Sequence, residues 1–325
     1  MLHAEGMTFG AGHSDLSFRD PTGWTRVSAG DGSPPSLWIS LGDPQAGPAV
    51  QLGICPPVPQ AMWLDTHYHA TDQLRAVVQG GFQLQRKRMG PGDFGYQASG
   101  IPYREGLVDG GDAPLWMFAV HGDRRGARST TTRHDGSFEL GEVAEDQLDR
   151  PVASPDDPYW RDVPGGARGV SALAISEGRA VGGFHWGCFD DAQDWHELAP
   201  GVRVCAAVLG DALAGPVVLM IRAAPGATIL PEHVAGSEVV LVPFAGSLHS
   251  GFSRIAPGDV RIVPASARMT AIVAGEAGVD LIYMIADRRA VSTMFAPADG
   301  TTGSGESATE TIRSIVAALA SRVRE

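Results

Sequence analysis

Apolar residues come along this chain in short bursts. Ala76 to Val78, Trp116 to Val120, Val217 to Ile221, Val239 to Val242 and Leu281 to Ile285 are bounded by Gly, Pro, Asp or Ser. Bursts this short, punctuated by turn formers, predict the strands of an antiparallel sandwich or barrel. One stretch keeps a helical period instead. In SATETIRSIVAALASRVRE, Ser307 and Glu310 have capping-box spacing, and Ile312, Ile315, Val316, Leu319 and Val323 share one helical face. That stripe predicts a terminal helix docking on its own barrel, with a homodimer contact as the alternative. PADGTTGSGES, before it, has the composition of a linker.

The pattern also repeats. LGDPQAGPAVQL from Leu41 returns as LGDALAGPVVLM from Leu209, and GPGDFGYQASG from Gly90 as APGDVRIVPAS from Ala256. GDRRG from Gly122 returns as ADRRA from Ala286, and SFRDPTGW from Ser17 as CFDDAQDW from Cys188. Four matches in one order, at offsets of 164 to 171 residues, indicate a duplicated unit. The expected division is a first barrel over 1–125, a polar connector over 126–168, a second barrel over 169–296, and linker and helix over 297–325. Gly169 to Ile175 is a candidate extra strand.

Composition mainly narrows the partners. Gly (42) and Pro (23) form one fifth of the 325 residues, which suits many strands joined by tight turns. A formal net charge of −12 would be repelled by nucleic-acid phosphates or an anionic membrane surface, so neither is an expected partner. MLHAEGMTFGAGHSD lacks a basic region followed by an apolar core, and every apolar run is interrupted before it could span a membrane. A cytoplasmic location is expected. Cys55, Cys188 and Cys205 have no CxxC spacing and are expected to be buried, inert thiols.

Candidate chemistry begins at Thr66 to Gly81, THYHATDQLRAVVQGG. Strand side chains alternate, so His67 and His69 point to one side. They form a chelating pair or merely one polar strand face. Their surroundings resemble the cupin superfamily, whose first motif has two histidines one residue apart, then an acid, then a glycine. His67, His69, Gln73 and Gly80 keep those spacings, with Gln73 in the acid's place. The second motif is similar at Pro91, Gly92, Asp93, Ala98 and Gly100, with Tyr103 where the family has a histidine. The resemblance covers both repeats and implies an all-β bicupin: two tandem double-stranded β-helix, jelly-roll-like barrels with a C-terminal amphipathic helix. It also implies a site inside a barrel, often holding one divalent ion.

The two copies differ where that site belongs. Taking His67, His69, Gln73, Arg75, Tyr103 and His121 as inward positions, the matching residues are Pro231, His233, Glu238, Val240, Met269 and Ile285. One histidine and one carboxylate fall short of the three protein ligands usual for a catalytic metal, so the second barrel is expected to be structural. Six polar side chains in the first interior are costly unless they bond to each other, an ion or a ligand.

The candidate metal ligands are His67 and His69, with Gln73 as a weaker oxygen ligand or as a hydrogen-bond partner of a metal-bound water and His121 or else Tyr103 completing the set; Fe(II) is favoured, with Zn, Mn, Ni or Cu as alternatives. A metal-free polar pocket is the competing reading. Arg75, on the face of Gln73, either clamps a substrate carboxylate or lies exposed at the rim. Tyr103 is a candidate proton donor or oxyanion stabiliser, or a packed ring. The repeated Asp-Arg-Arg triplets point to a structural role, such as a salt bridge at the end of the last strand. His185, His196 and Trp195 show no spacing beyond packing.

Three functions stay open. The first is a metal-dependent enzyme acting on a small polar or anionic metabolite, as a dioxygenase or as a lyase or isomerase. The second is a metal-independent epimerase or isomerase with a histidine base and Tyr103 as acid. The third is a non-catalytic small-molecule-binding or sensor protein.

Overall fold

The computed structural model describes residues 13–21, 36–58, 62–64, 66–84, 87–107, 112–127, 129–131, 140–141, 184–211, 213–291 and 310–317. Gly169 to Ile175, the linker, Ser307, Leu319 and Val323 lie outside them. Among the described residues, no helix is long and apolar enough to cross a membrane.

The first barrel packs a six-stranded sheet against a five-stranded one. The larger runs Phe184–Cys188, Asp93–Gln97, Gln73–Gln79, Leu115–His121, Ala49–Cys55, Ser36–Ser40. The smaller runs Leu140–Gly141, Met62–Leu64, Glu105–Leu107, Phe82–Leu84, Lys87–Met89. In the second barrel the long strands Val239–Ser250 and Ile272–Ile285 pair along most of their length, with register shifts that bend them. These are two double-stranded β-helices, all-β as the turn-punctuated pattern predicts.

Alternation sorts the side chains into two layers. Leu52, Leu74, Ala76, Phe118 and Val120 face outward and share one core with Met220, Val240, Val242, Ile282 and Met284 of the second barrel. The second interior is hydrocarbon, built from Val204, Leu219, Val239, Leu241, Ile285 and their neighbours. Ile312, Ile315 and Val316 of the helix over 310–317 join that interior. The terminal helix therefore docks on its own barrel.

The barrels exchange their first strands. Ser14–Ser17 pairs with Asp259–Val263 of the second barrel, and Phe184–Cys188 pairs with Asp93–Gln97 of the first. Equivalent positions carry different locks. Asp15 lies opposite Arg261 and takes a bidentate ion pair of 2.7 and 2.8 Å from it, whereas Trp186 lies opposite Gly95. A Cβ on Gly95 would stand 2.7 Å from the Trp186 ring, so only glycine leaves room for it. Two more strands come from the stretch expected as connector: Ser129–Thr131 pairs with His67–His69, and Leu140–Gly141 with Met62–Leu64.

The repeated loops form one recurring joint. Asp123 and Asp287 each accept from the backbone N–H of the second arginine of their triplet, at 2.8 and 2.9 Å. The first arginine caps a loop: Arg124 donates to the carbonyls of Leu41 and Gly47, and Arg288 to those of Leu209 and Gly215. The triplets thus tie each last strand to the LGD…AGP loop, a structural duty common to both copies. Cys55 and Cys205 are buried and Cys188 is partly exposed; burial, then Glu105, pushes the Cys55 thiol up to about 12.

Candidate functional site

Strand register sets which polar side chains meet. Gln73 lies between Gln97 and His121 on neighbouring strands, a polar row across the inner face of the first barrel. One step along, Arg75 lies between Gly95 and Ala119, which are small enough to leave room for a guanidinium. Tyr103 and His67 exchange backbone hydrogen bonds of 2.9 and 3.1 Å, which carries the His67–His69 strand to the same interior. All six predicted residues are brought together there, each 5 % exposed or less.

The same register corrects the comparison of the copies. His233 pairs with Met269 as His67 does with Tyr103, and Val239 pairs with Ile285 as Gln73 does with His121. The counterparts of His67, His69, Gln73 and Arg75 are therefore His233, Ala235, Val239 and Leu241, and not Pro231, His233, Glu238 and Val240. Glu238 matches Asp72, and Val240 lies in the core between the barrels. A shift of one residue exchanges the two faces of a strand. The second barrel thus keeps one histidine of the set, and its ring nitrogens are taken up by the Pro231 carbonyl at 2.8 Å and the Tyr283 hydroxyl at 3.0 Å.

In the first barrel the partners are unevenly distributed. Arg75 is neither an exposed rim residue nor an open fork. It donates to Gln97 Oε1 at 2.9 Å and to the Tyr103 hydroxyl, and lies 3.1 Å from Glu105 Oε2. Burial works against its charge, but Glu105 and Tyr103 outweigh that and hold the guanidinium above its ordinary value. Burial raises the Tyr103 phenol well above the usual range, against the pull of Arg75. The phenol thus enters the chamber as a neutral hydrogen donor.

The His69 and His121 imidazoles are held neutral. Burial first, and then His121, His67 and Arg75, lower His69 well below its ordinary value. His69 Nδ1 is 2.7 Å from the Ala127 carbonyl, which can only accept, so Nδ1 carries the hydrogen and Nε2 the lone pair. Burial, then Arg75, pushes His121 down to about 3. Its Nε2 lies 3.5 Å from Gln51 Oε1, and its Nδ1 is buried with no hydrogen-bond partner. The ring centroids of His69 and His121 are 5.1 Å apart, and those of His67 and His69 5.5 Å.

Gln73 stands out. It is wholly buried, and neither its Oε1 nor its Nε2 meets a hydrogen-bond partner, although the amide lies close enough to Tyr103 to temper the phenol's shift. Orphaned groups of this kind cost about 1–3 kcal/mol each.

Three residues that the sequence reading missed belong to the chamber: Glu105, Gln97 and Gln51. Glu105 follows Tyr103 by two positions, the same one-face spacing that singled out Arg75 after Gln73. A cleft of about 530 Å³ on the second barrel holds Arg203, Arg222, Asp190 and Asp280, but its charges are already engaged. Arg222 forks onto Asp280 at 2.6 and 2.7 Å, and Arg203 donates to the carbonyls of Gln193 and Trp195.

No family model and no curated protein matches the sequence. Among solved structures, a mutant of oxalate decarboxylase from Bacillus subtilis is 13 % identical, with a TM-score of 0.47 over 84 % of this chain and 77 % of that one. A mutant of salicylate 1,2-dioxygenase from Pseudoaminobacter salicylatoxidans, in complex with gentisate, is 16 % identical, with a TM-score of 0.47 over 84 % of this chain and 81 % of that one. The chain's own strand pairing and repeats define its fold. By that pairing the protein has the bicupin fold, with one barrel polar inside and the other filled with hydrocarbon.

Proposed function

We propose that the first barrel is the catalytic chamber of a metal-dependent enzyme acting on a small polar or anionic metabolite, as a dioxygenase or as a lyase or isomerase. One observation carries this reading: the Gln73 carboxamide and His121 Nδ1 are buried and unpartnered, where the twin barrel has Val239 and Ile285. Such atoms call for an ion, a ligand or both.

The donor set fits a divalent ion. His67, His69 and His121 offer imidazoles, and Gln73 offers an amide oxygen. Among the described residues no three His, Cys, Asp or Glu side chains are gathered as a ready ion site, so an ion here would draw on one or two of these imidazoles together with the unpartnered Gln73. Fe(II) is the first choice, with Zn, Mn, Ni or Cu as alternatives. When bound, the ion supplies Lewis acidity or, if it is iron, a place for dioxygen beside the substrate. Tyr103 then faces the substrate as a hydrogen donor that stabilises developing negative charge. Arg75 holds the phenol and Glu105 in place, and burial keeps bulk water out.

Metal analysis of the purified protein tests this, with about one ion per chain expected and a large loss on Gln73→Ala. Full metal content in a His67→Ala, His69→Ala double variant would refute the ligand assignment. A second reading rests on the His67 and Tyr103 rings, whose centroids are 4.3 Å apart, as base and acid without metal. Turnover that survives complete removal of metal would favour it.

A further inference from the structure

We infer that the first barrel takes a small neutral molecule carrying a primary amide or urea group, recognised edge to edge by the Gln73 carboxamide and by His121. This rests on the reading of that barrel as the functional chamber, and takes no ion in it as given.

Charge restricts the ligand first. Among the described residues Arg75 is the one buried arginine of this barrel, and its donors are engaged. It donates to Gln97 Oε1 at 2.9 Å and to the Tyr103 hydroxyl, and stands 3.1 Å from Glu105 Oε2. An anionic ligand would enter a closed interior whose cation is already taken and which already holds a carboxylate, a costly burial. A cationic ligand would meet the guanidinium. A neutral one meets neither objection.

The unmade hydrogen bonds then say what that neutral ligand offers. Neither Oε1 nor Nε2 of the wholly buried Gln73 has a partner, so an acceptor and an NH2 donor lie side by side, whichever way the amide is turned. His121 pairs directly with Gln73 across the neighbouring strand, which brings the two side chains to one place. With His121 Nε2 facing Gln51 Oε1 at 3.5 Å, the unpartnered Nδ1 carries the lone pair. Glu105 Oε2 is a further buried acceptor, because Arg75 lies near it without the alignment of a hydrogen bond.

Gln73 Oε1, His121 Nδ1 and Glu105 Oε2 are thus three acceptors set against the single NH2 of Gln73. Their complement has more N–H than C=O, which describes a primary amide or a urea. The carbonyl and the neighbouring N–H of such a group match the Gln73 edge in two parallel bonds, and a second N–H remains for His121 or Glu105. A carboxylate offers acceptors alone. The twin barrel, with Val239, Ile285 and Ala271 at the places of Gln73, His121 and Glu105, makes no such demand. Gln73 can serve an ion or this ligand, but not both through one oxygen, so the metal-free chain is the form to test.

Ligand-observed NMR on the full chain, freed of metal by a chelator, tests the inference with three probes of similar size: propionamide, propionate and 1,2-propanediol. Propionamide should bind at least about tenfold more tightly than either of the others, the discrimination that buried hydrogen bonds carry. Gln73→Leu copies the apolar character of the twin and removes two orphaned atoms, so it should fold and should weaken propionamide binding by about the same factor or more. Undiminished propionamide binding by Gln73→Leu would place the ligand elsewhere and overturn the inference. Propionate or the diol binding as tightly as propionamide, and losing affinity in Gln73→Leu, would overturn the amide class while leaving the chamber as a ligand site. Binding of none of the three would overturn the inference and the reading of the chamber together.

Discussion

Replacing Asp72 with Asn should alter how stability depends on pH more than how large it is. Asp72 is 1 % exposed and lies at the seam between the barrels, one residue before Gln73. Its Oδ2 accepts from the Tyr96 hydroxyl and from the Gly210 N–H of the second barrel, both at 3.3 Å. Burial outweighs these long bonds and the nearby Arg288, and pushes the carboxyl from 3.8 up to about 7. At 1.36 kcal/mol per pH unit that is about 4 kcal/mol. The sign follows from where each state loses its proton. Below pH 3.8 both states are protonated; between 3.8 and about 7 the unfolded chain ionises first, and above about 7 the folded chain carries a buried charge. The stability Asp72 contributes is therefore complete below its unfolded value and is lost as pH rises through about 7. Asp72→Asn has no charge to bury, so its stability relative to wild type should rise by about 4 kcal/mol between about pH 4 and pH 8, whatever constant offset the new amide adds. Urea midpoints followed by tryptophan fluorescence at a series of pH values measure this. Two parallel curves would refute the reasoning, because they would mean that Asp72 titrates as it does in water.

Gly95→Leu should lower the urea midpoint by the equivalent of about 1–3 kcal/mol, because the new side chain must displace Trp186; an unchanged midpoint would show that the exchanged strand does not sit where it is described. Asp15→Ala removes the partner of Arg261, whose side chain is 4 % exposed; water around the half-exposed Asp15 offsets part of the loss, leaving a cost of about 1–3 kcal/mol. Amide exchange along Ser14–Ser17 and Asp259–Val263 should accelerate, and unchanged rates would count against that lock. His121 is depressed from 6.5 to about 3, so its contribution is present above pH 6.5 and is lost as pH falls through about 3. His121→Phe should therefore gain stability relative to wild type as pH drops from about 7 to 4, and a pH-independent difference would exclude a neutral buried imidazole there.

Much of this was legible because it depends on local rules. Turn-bounded apolar bursts mark strands, and the repeated LGD…AGP and Asp-Arg-Arg segments proved to be two halves of one joint. The histidine pair, Gln73 and Arg75 were found by their spacing of two along strands. The same spacing points from Tyr103 to Glu105, but Glu105 lies beyond the positions at which the second motif resembles the family's. Register between the copies was not legible. Val240 and Leu241 are equally apolar, and only the pairing of Val239 with Ile285 shows which of them faces the interior. Strand exchange was hidden for another reason: Ser17 and Cys188 head equivalent units, and nothing local states which barrel each strand joins. That choice is made by contacts distant in sequence, Asp15 with Arg261 and Trp186 with Gly95. Ser129–Thr131, in a polar run, gave no apolar signal at all.

The division of labour between the copies follows from where each interior obtains its stability. The row Gln97, Gln73, His121 returns little hydrophobic energy to the first barrel and leaves buried polar atoms unpaired. A free-standing barrel with such an interior would be poorly stabilised. This barrel is not free-standing: its outer face is buried against Met220, Val240, Val242, Ile282 and Met284, and one of its strands is Phe184–Cys188. The equivalent row in the second barrel, Val263, Val239, Ile285, is wholly apolar and sits in a core closed by the terminal helix. Stability generated in the second barrel thus reaches the first through a shared core and an exchanged strand. Residues that face the chamber are thereby released from packing duty and can be arranged for an ion and a ligand, which a single barrel of this size would have difficulty sustaining.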